Sequence, residues 1–356
     1  MSGLVEKFFF EENGWTGGQY CVFRVLLGIH LLFSLLIELS ASTHAGVWFW
    51  VPLTLLGIVA SIGFIFGRFD RLAAVVLAGL WGRYGVIPTA PHNSEPLLIY
   101  ILLAHLEFRR VPLGLFDPDD ENPAEPWRLP QPVHALIWFI AIFFYTFVGA
   151  GVWLGFDYPT FTRMLVVSPL ALVRRFRPFV WCVQLFVVVY LLVALGDIVM
   201  SLVLVQLFLL DPAWIRGVGA RSAELIFYDG DCGLCHRFVV FVLREDRSGE
   251  RFRFAPLGSK TFLSSVPDSG RANLPDSIVV LTEDGRVLTK SRAVVYVLRK
   301  LGGLWRVGAF FVRLVPRFIA DAGYDLVARF RKQFFAHPSG ACPLLPAVWQ
   351  QRILPE

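Results

Sequence analysis

The chain has 356 residues, 56% of them apolar and only 17% charged, with a formal net charge of +5. A soluble globular chain carries roughly 45–50% apolar and about 25% charged residues, so disorder, a coiled coil, a collagen-like repeat and an ordinary water-soluble enzyme are excluded. The charge is unevenly divided: Met1–Ile215 holds 12 Lys+Arg against 15 Asp+Glu, whereas Arg216–Glu356 holds 21 against 13. The length suggests about two domains, the first too apolar for water and the second with the composition of a soluble domain.

The first twenty residues lack the pattern of a secretory signal. The first apolar run, Val22–Leu39, approaches the ~20 residues of a spanning helix. Further runs follow at Val51–Phe66, Leu72–Ile87, Pro96–Leu106, Val133–Val152, Phe179–Leu195 and Ile198–Leu210. Met164–Val173 contains Pro169 and reads as a poor or re-entrant span. The expectation is a polytopic α-helical membrane domain of about seven or eight helices over residues 1–215.

Loop charges orient it. Ser40–Trp50 and Thr89–Glu95 carry no Lys or Arg, while the intervening and following loops hold Arg68 and Arg71, then Arg109, Arg110 and Arg128. The positive-inside rule then places the N-terminus in the cytoplasm. If Met164–Val173 crosses, eight crossings keep Arg174, Arg175 and Arg177 inside and return the C-terminal part to the cytoplasm, the favoured reading; seven crossings would put the tail outside and those arginines on the wrong side.

Ionisable residues within spans are costly and are functional candidates by default. The set is Arg24, His30, Glu38, Arg83, His105, His134 and Asp197. Arg24, Glu38, His105 and His134 lie near span ends, where a side chain reaches the interface. His30 is the deepest, and it shares a helix face with Glu38, eight residues on. His30 and Arg24 are the candidate site residues of this half.

Arg24 in FRVLLG, Tyr145–Gly151 (YTFVGAG) and the closing DIVMSLVLVQLFLLDPAWI resemble the horizontally transferred transmembrane domain, which is related to vitamin K-dependent gamma-carboxylase. The resemblance covers most of residues 10–215. The carboxylase carries a lysine base just after the glycine of that helix; here Gly149–Trp153 has none, and no lysine occurs between Lys7 and Lys260. The resemblance therefore implies the fold without the carboxylase chemistry.

After a linker at 216–222, the pattern changes. Glu224–Tyr228 is an apolar, aromatic run suited to a buried strand, and Asp229-Gly230-Asp231 is turn chemistry with a possible helix N-cap. From Cys235 on, Phe238, Val239, Val242 and Leu243 recur at helical spacing. Cys232 and Cys235, the only close cysteine pair, thus sit where a strand hands over to a helix N-terminus. The N–H groups and dipole there favour an anion, hence a thiolate, while the Asp231 charge opposes it.

Downstream, Arg251–Ala255 alternates as a strand, and Ser277–Thr282 and Arg286–Lys290 flank an Asp-Gly turn as a hairpin. Ala293–Leu301 is helical by spacing, and basic amphipathic segments follow at Trp305–Val315 and Asp321–Phe335. Strand, helix, strand, hairpin and helix, with CxxC after the first strand, is a thioredoxin-like α/β arrangement, expected over 223–350.

Other readings of the same cysteines exist. Cys232–His236 spells CxxCH, the attachment motif of c-type haem, and Cys232, Cys235, His337 and Cys342 are enough in number for zinc. The pair could also be inert. Cys21 and Cys182, in apolar runs, read as small hydrophobes. The basic tail suits anionic headgroups better than nucleic acid.

The run Tyr228-Asp229-Gly230-Asp231-Cys232-Gly233-Leu234-Cys235 is similar to the signature of the DCC thiol-disulfide oxidoreductases, as are FRFAPLGS, LPDSIVVLTEDGRVLTKSRAV and YDLVARFRKQFF…ACPL downstream. This resemblance, over about 223–350, implies a thioredoxin-like fold with a dithiol–disulfide site at Cys232 and Cys235. Leu234 stands where thioredoxin has proline, and the register of Pro275 as the customary cis-proline is ambiguous.

The expected protein is thus a membrane-anchored disulfide reductase. Cys232 attacks, Cys235 resolves, and Asp229 and Asp231 shape the turn; no cofactor is required. Its partners are a lipid bilayer, a protein or small-molecule disulfide and a thiol donor the sequence does not name, with no nucleic acid. The alternative is a membrane transport, sensor or lipid- or quinone-modifying protein with a regulatory redox tail.

Overall fold

The computed structural model of the chain describes residues 12–44, 48–67, 69–82, 96–107, 127–149, 160–195, 200–219, 222–230, 232–271, 274, 277–334 and 347–354. They fall into two compact units. The second takes in Gly14–Gln19, Trp127, Arg128 and the chain from Pro212 onward; the first holds the rest.

The described part of the first unit is helical: α1 (Gly17–His44, its first three residues counted with the second unit), α2 (Val51–Phe66), α3 (Asp70–Gly82), α4 (Pro96–Ala104), α5 (Gln131–Gly149), α6 (Arg177–Leu195) and α7 (Met200–Leu209). Within it, Gly17–Ala41 and Arg174–Val193 are long and apolar enough to cross a membrane. Val51–Phe66, Leu97–Glu107, Gln131–Thr146 and Met200–Leu209 are apolar but shorter. The 16 residues of α2 rise only about 24 Å, against a hydrocarbon core of about 30 Å.

Among the described residues two helices are thus long and apolar enough to cross a membrane, where the apolar runs suggested seven or eight. Met164–Val173 departs from an α-helix, as its proline suggested. It winds as a 3-10 helix, Thr160–Leu172, around Pro169, which has no N–H to give. Polarity in this unit is reversed relative to a water-soluble core. Phe33, Val59, Leu72, Phe143, Phe179 and Val193 are exposed, while Arg24, Asp70, His105, Ser168, Gln184 and Gln206 are buried.

The second unit is built on a four-stranded sheet of order β2-β1-β3-β4, with β1 Glu224–Tyr228, β2 Phe252–Pro256, β3 Val279–Leu281 and β4 Val287–Thr289. β1 and β2 are parallel, joined through α8 (Gly233–Glu245); β1 pairs antiparallel with β3, and β3 with β4. Between β2 and β3 lie two short helices, α9 (Lys260–Ser265) and α10 (Asp268–Arg271). After β4 come α11 (Lys290–Leu301), α12 (Gly303–Leu314), α13 (Arg317–Phe334) and α14 (Ala347–Gln350).

The period-2 alternation of the strands fills both faces of the sheet. Ile226, Phe252, Phe254 and Val280 share one cluster with Val239, Val242 and Leu243 of α8 and Val297 of α11. Phe227, Ala255 and Val279 share the other with Phe262 and Val266. The expected hairpin closes where Thr282 N–H donates to the Arg286 carbonyl at 3.0 Å, and Gly285 takes the positive φ of 77° that the turn demands. The edge of β2 is covered from the C-terminus: Phe254 N–H donates to Arg352 O at 2.9 Å, and Leu354 N–H to Phe254 O at 2.7 Å.

Candidate active site

β1 ends at Tyr228, the chain turns through Asp229 and Gly230, and Cys232 becomes the N-cap of α8. Its φ of −103° and ψ of 110° are extended, as an N-cap requires, and its Sγ accepts from the Cys235 N–H at 3.3 Å. Cys232 thus occupies the place usually given to Ser, Thr, Asp or Asn. Its sulfur is held by the Cys235 N–H in the first turn of the helix. Cys232 N–H donates to Asp229 O at 3.3 Å, and His236 N–H to Cys232 O at 3.0 Å, so both sides of the turn are hydrogen-bonded.

Both cysteines are thiols and both are buried, at 2% and 3% exposure, in the cluster that also holds Tyr228 and Ile278. Asp229 lies in the turn where the sequence placed it. Asp231 lies outside the described residues, as do Pro275, His337 and Cys342. Among the described residues no group of three or more His, Cys, Asp or Glu side chains is arranged to hold a metal.

The far end of the same helix carries a feature that the sequence did not flag. Glu245 is 2% exposed. It accepts from the Gly18 N–H at 2.9 Å, the Trp305 Nε1–H at 2.6 Å and the Thr16 hydroxyl. Burial pushes its carboxyl above the ordinary carboxylate range, and these hydrogen bonds oppose the shift. Trp305 also sets its ring edge-on against Phe241 of α8, with centroids 4.9 Å apart. Gly18 is required by close approach, because a Cβ there would stand 2.8 Å from the Trp305 ring and 2.9 Å from Glu245 Oε1. The helix bearing the thiols is therefore clamped at its C-terminal end by residues 227–229 positions away in sequence.

In the first unit, His30 Nε2 lies 3.2 Å from Ser201 Oγ on α7. Arg24, expected near a span end, packs inside the protein. It is fully buried, with its guanidinium against Gly67, the left-handed residue closing α2, where the last carbonyls of that helix leave partial negative charge. His105 and His134 are likewise buried. His134 Nε2 meets Phe208 O at 3.2 Å, and His105 is the middle of a chain: Nε2 lies 2.5 Å from Asp70 Oδ2 and Nδ1 2.6 Å from the Tyr20 hydroxyl. Asp70 lies in the first turn of α3, and the sequence did not single it out. Arg83 and Asp197 lie outside the described residues.

Residues 226–337 match the family model for DCC1-like thiol-disulfide oxidoreductases. The uncharacterized protein YuxK of Bacillus subtilis (strain 168) is 33% identical over 132 residues, which are 37% of this chain and 94% of that protein. A chloroplastic DCC family protein of Arabidopsis thaliana is 35% identical over 135 residues, 37% of this chain and 77% of that protein. No solved structure matches the chain at a significant level.

Proposed function

Because the chain belongs to the DCC1-like thiol-disulfide oxidoreductase family through its second unit, we infer that it is a membrane-anchored protein-disulfide oxidoreductase acting through Cys232 and Cys235. The observation that carries this reading is the Cys232 sulfur at the N-cap of α8, accepting the Cys235 N–H.

The Cys232 thiolate attacks a substrate disulfide. One Cys232–substrate S–S bond forms, the substrate S–S bond breaks, and the leaving thiolate takes up a proton. The Cys235 thiol then loses its proton and attacks Cys232 Sγ, releasing the second substrate thiol and leaving a Cys232–Cys235 disulfide. Two electrons pass to the substrate, and an external thiol donor restores the dithiol. The sheet order and the position of the pair after β1 support a thioredoxin-like framework for this exchange. Two apolar helices of spanning length and an outward-facing apolar surface support the anchor. The arginine distribution supports a cytoplasmic catalytic unit, and a reducing compartment favours the reductase direction.

Trapping tests the assignment. Reduced full-length Cys235→Ser, mixed with oxidised glutathione, should accumulate a mixed disulfide on Cys232, read by intact mass and peptide mapping. The wild type should pass through to its internal disulfide. Absence of an adduct on Cys232 refutes the mechanism.

The buried Tyr20–His105–Asp70 chain favours a second reading, in which the first unit has its own proton-handling chemistry and the thiol pair regulates it. Under that reading Cys232→Ser retains a membrane activity that His105→Gln removes.

A further inference from the structure

The last long helices of the second unit are amphipathic with the polarity turned outward. On α13 the polar positions face the domain. Asp325 accepts from Lys290 Nζ at 2.7 Å, Asp321 from the Ser291 hydroxyl at 2.5 Å, and the Tyr324 hydroxyl from the Ile278 N–H at 3.1 Å. Its apolar positions face away, with Phe318 74% and Leu326 57% exposed. On α12 Ala309 is buried, while Val307, Phe310, Phe311 and Leu314, spaced i, i+3, i+4 and i+7, form one exposed stripe.

Residues 310–319 are exposed without a break, and ten large apolar side chains between Val307 and Val327 are at least 37% exposed. A soluble domain does not leave so many contiguous apolar side chains uncovered unless something docks on them. The charge beside them is of one sign. Arg306, Arg313, Arg317 and Arg329 are exposed, whereas the two acidic residues of this stretch, Asp321 and Asp325, are held by Ser291, Arg317 and Lys290.

We propose that the α12–α13 face is a membrane-docking surface that lies in the headgroup layer of an anionic bilayer, with Phe310, Phe311, Leu314 and Phe318 entering the acyl boundary and the arginines pairing with lipid phosphates. Aromatic and aliphatic side chains interleaved with arginine are the chemistry of an interfacial helix. Under the membrane-anchored reading, the two helices of spanning length tether this unit to a bilayer. α13 packs against α8. Docking therefore fixes the CxxC helix relative to the bilayer and selects disulfides that lie near the membrane surface. The proposal rests on the membrane-anchored reading given above.

The test uses the full chain with a photoreactive benzoylphenylalanine in place of Phe311, or separately of Phe318, reconstituted in vesicles of phosphatidylcholine with roughly 30% phosphatidylglycerol. Irradiation should yield adducts of lipid mass, enriched in phosphatidylglycerol beyond its share. Arg313→Gln should lower that enriched adduct about fivefold, the effect of one basic residue near an anionic surface. Crosslinks to a second copy, crosslinks to another protein, or no lipid adduct at either position overturn the proposal. Resistance of the unmodified chain to alkaline carbonate extraction is scored in parallel. Loss of that resistance removes the anchored reading, whereas retained resistance without lipid adducts removes only the docking surface.

Discussion

Glu245 offers a quantitative check on how the thiol-bearing helix is held. Its carboxyl accepts three hydrogen bonds, from Thr16, Gly18 and Trp305. At a net contribution of about 1 kcal/mol each, Glu245→Ala should lose about 3 kcal/mol. The assay is hydrogen exchange of the α8 amides, residues 233–245, measured by mass spectrometry on the reduced full chain. A loss of that size raises the opening equilibrium about a hundredfold, and the effect should be confined to α8, Gly14–Gln19 and the start of α12.

The same side chain makes the effect pH-dependent with a definite sign. Burial raises the folded-state pKa of Glu245 above its unfolded value of about 4.3. The folded state therefore binds the proton more tightly. The stability contributed by that binding is complete below the unfolded value and is lost as pH rises through the folded one. Glu245→Gln, which keeps a carbonyl acceptor but cannot ionise, should start lower than wild type near pH 4 and show no such decline. The reasoning fails if Glu245→Ala changes α8 protection by less than about fivefold, or if Glu245→Gln keeps the wild-type pH slope after correction for intrinsic exchange.

Further outcomes follow from the same contacts. Gly18→Ala puts a methyl within 2.8 Å of the Trp305 ring and should destabilise the second unit by about 1–3 kcal/mol, read as a lower midpoint of denaturant unfolding. Lys300 Nζ lies 3.2 Å from Glu224, whose Oε1 also accepts from the Tyr296 hydroxyl at 2.5 Å, with both charged side chains essentially buried. Lys300→Met strands the carboxylate and should lose about 3–5 kcal/mol, while the double change with Glu224→Gln recovers part of that in the same unfolding assay.

Local patterns carried most of the second unit. Glu224–Tyr228 is a strand with the limits its composition suggested, and the Asp-Gly turn closes the expected hairpin, because turn chemistry and period-2 alternation are written within a few residues. The Cys232–Cys235 pair was legible for the same reason. The clamp on Glu245 was not, since Thr16 and Gly18 lie more than two hundred residues away and an acidic residue at a helix end reads as solvated. The Tyr20–His105–Asp70 chain was hidden in the same way, since its members lie up to 85 residues apart and His105 read as a side chain near a span end. Of the expected spans, two coincide with described helices long and apolar enough to cross a membrane, while Leu72–Ile87, Val133–Val152 and Ile198–Leu210 run partly outside the described residues.

The most direct measurement is a redox titration of the full-length protein in defined thiol buffers, counting thiols by alkylation and mass for wild type, Cys232→Ser and Cys235→Ser. The account predicts one reversible two-thiol step, in the range of roughly −120 to −270 mV spanned by dithiol enzymes, that disappears in either variant. A step that survives in either variant, or no two-thiol step in the wild type, contradicts it.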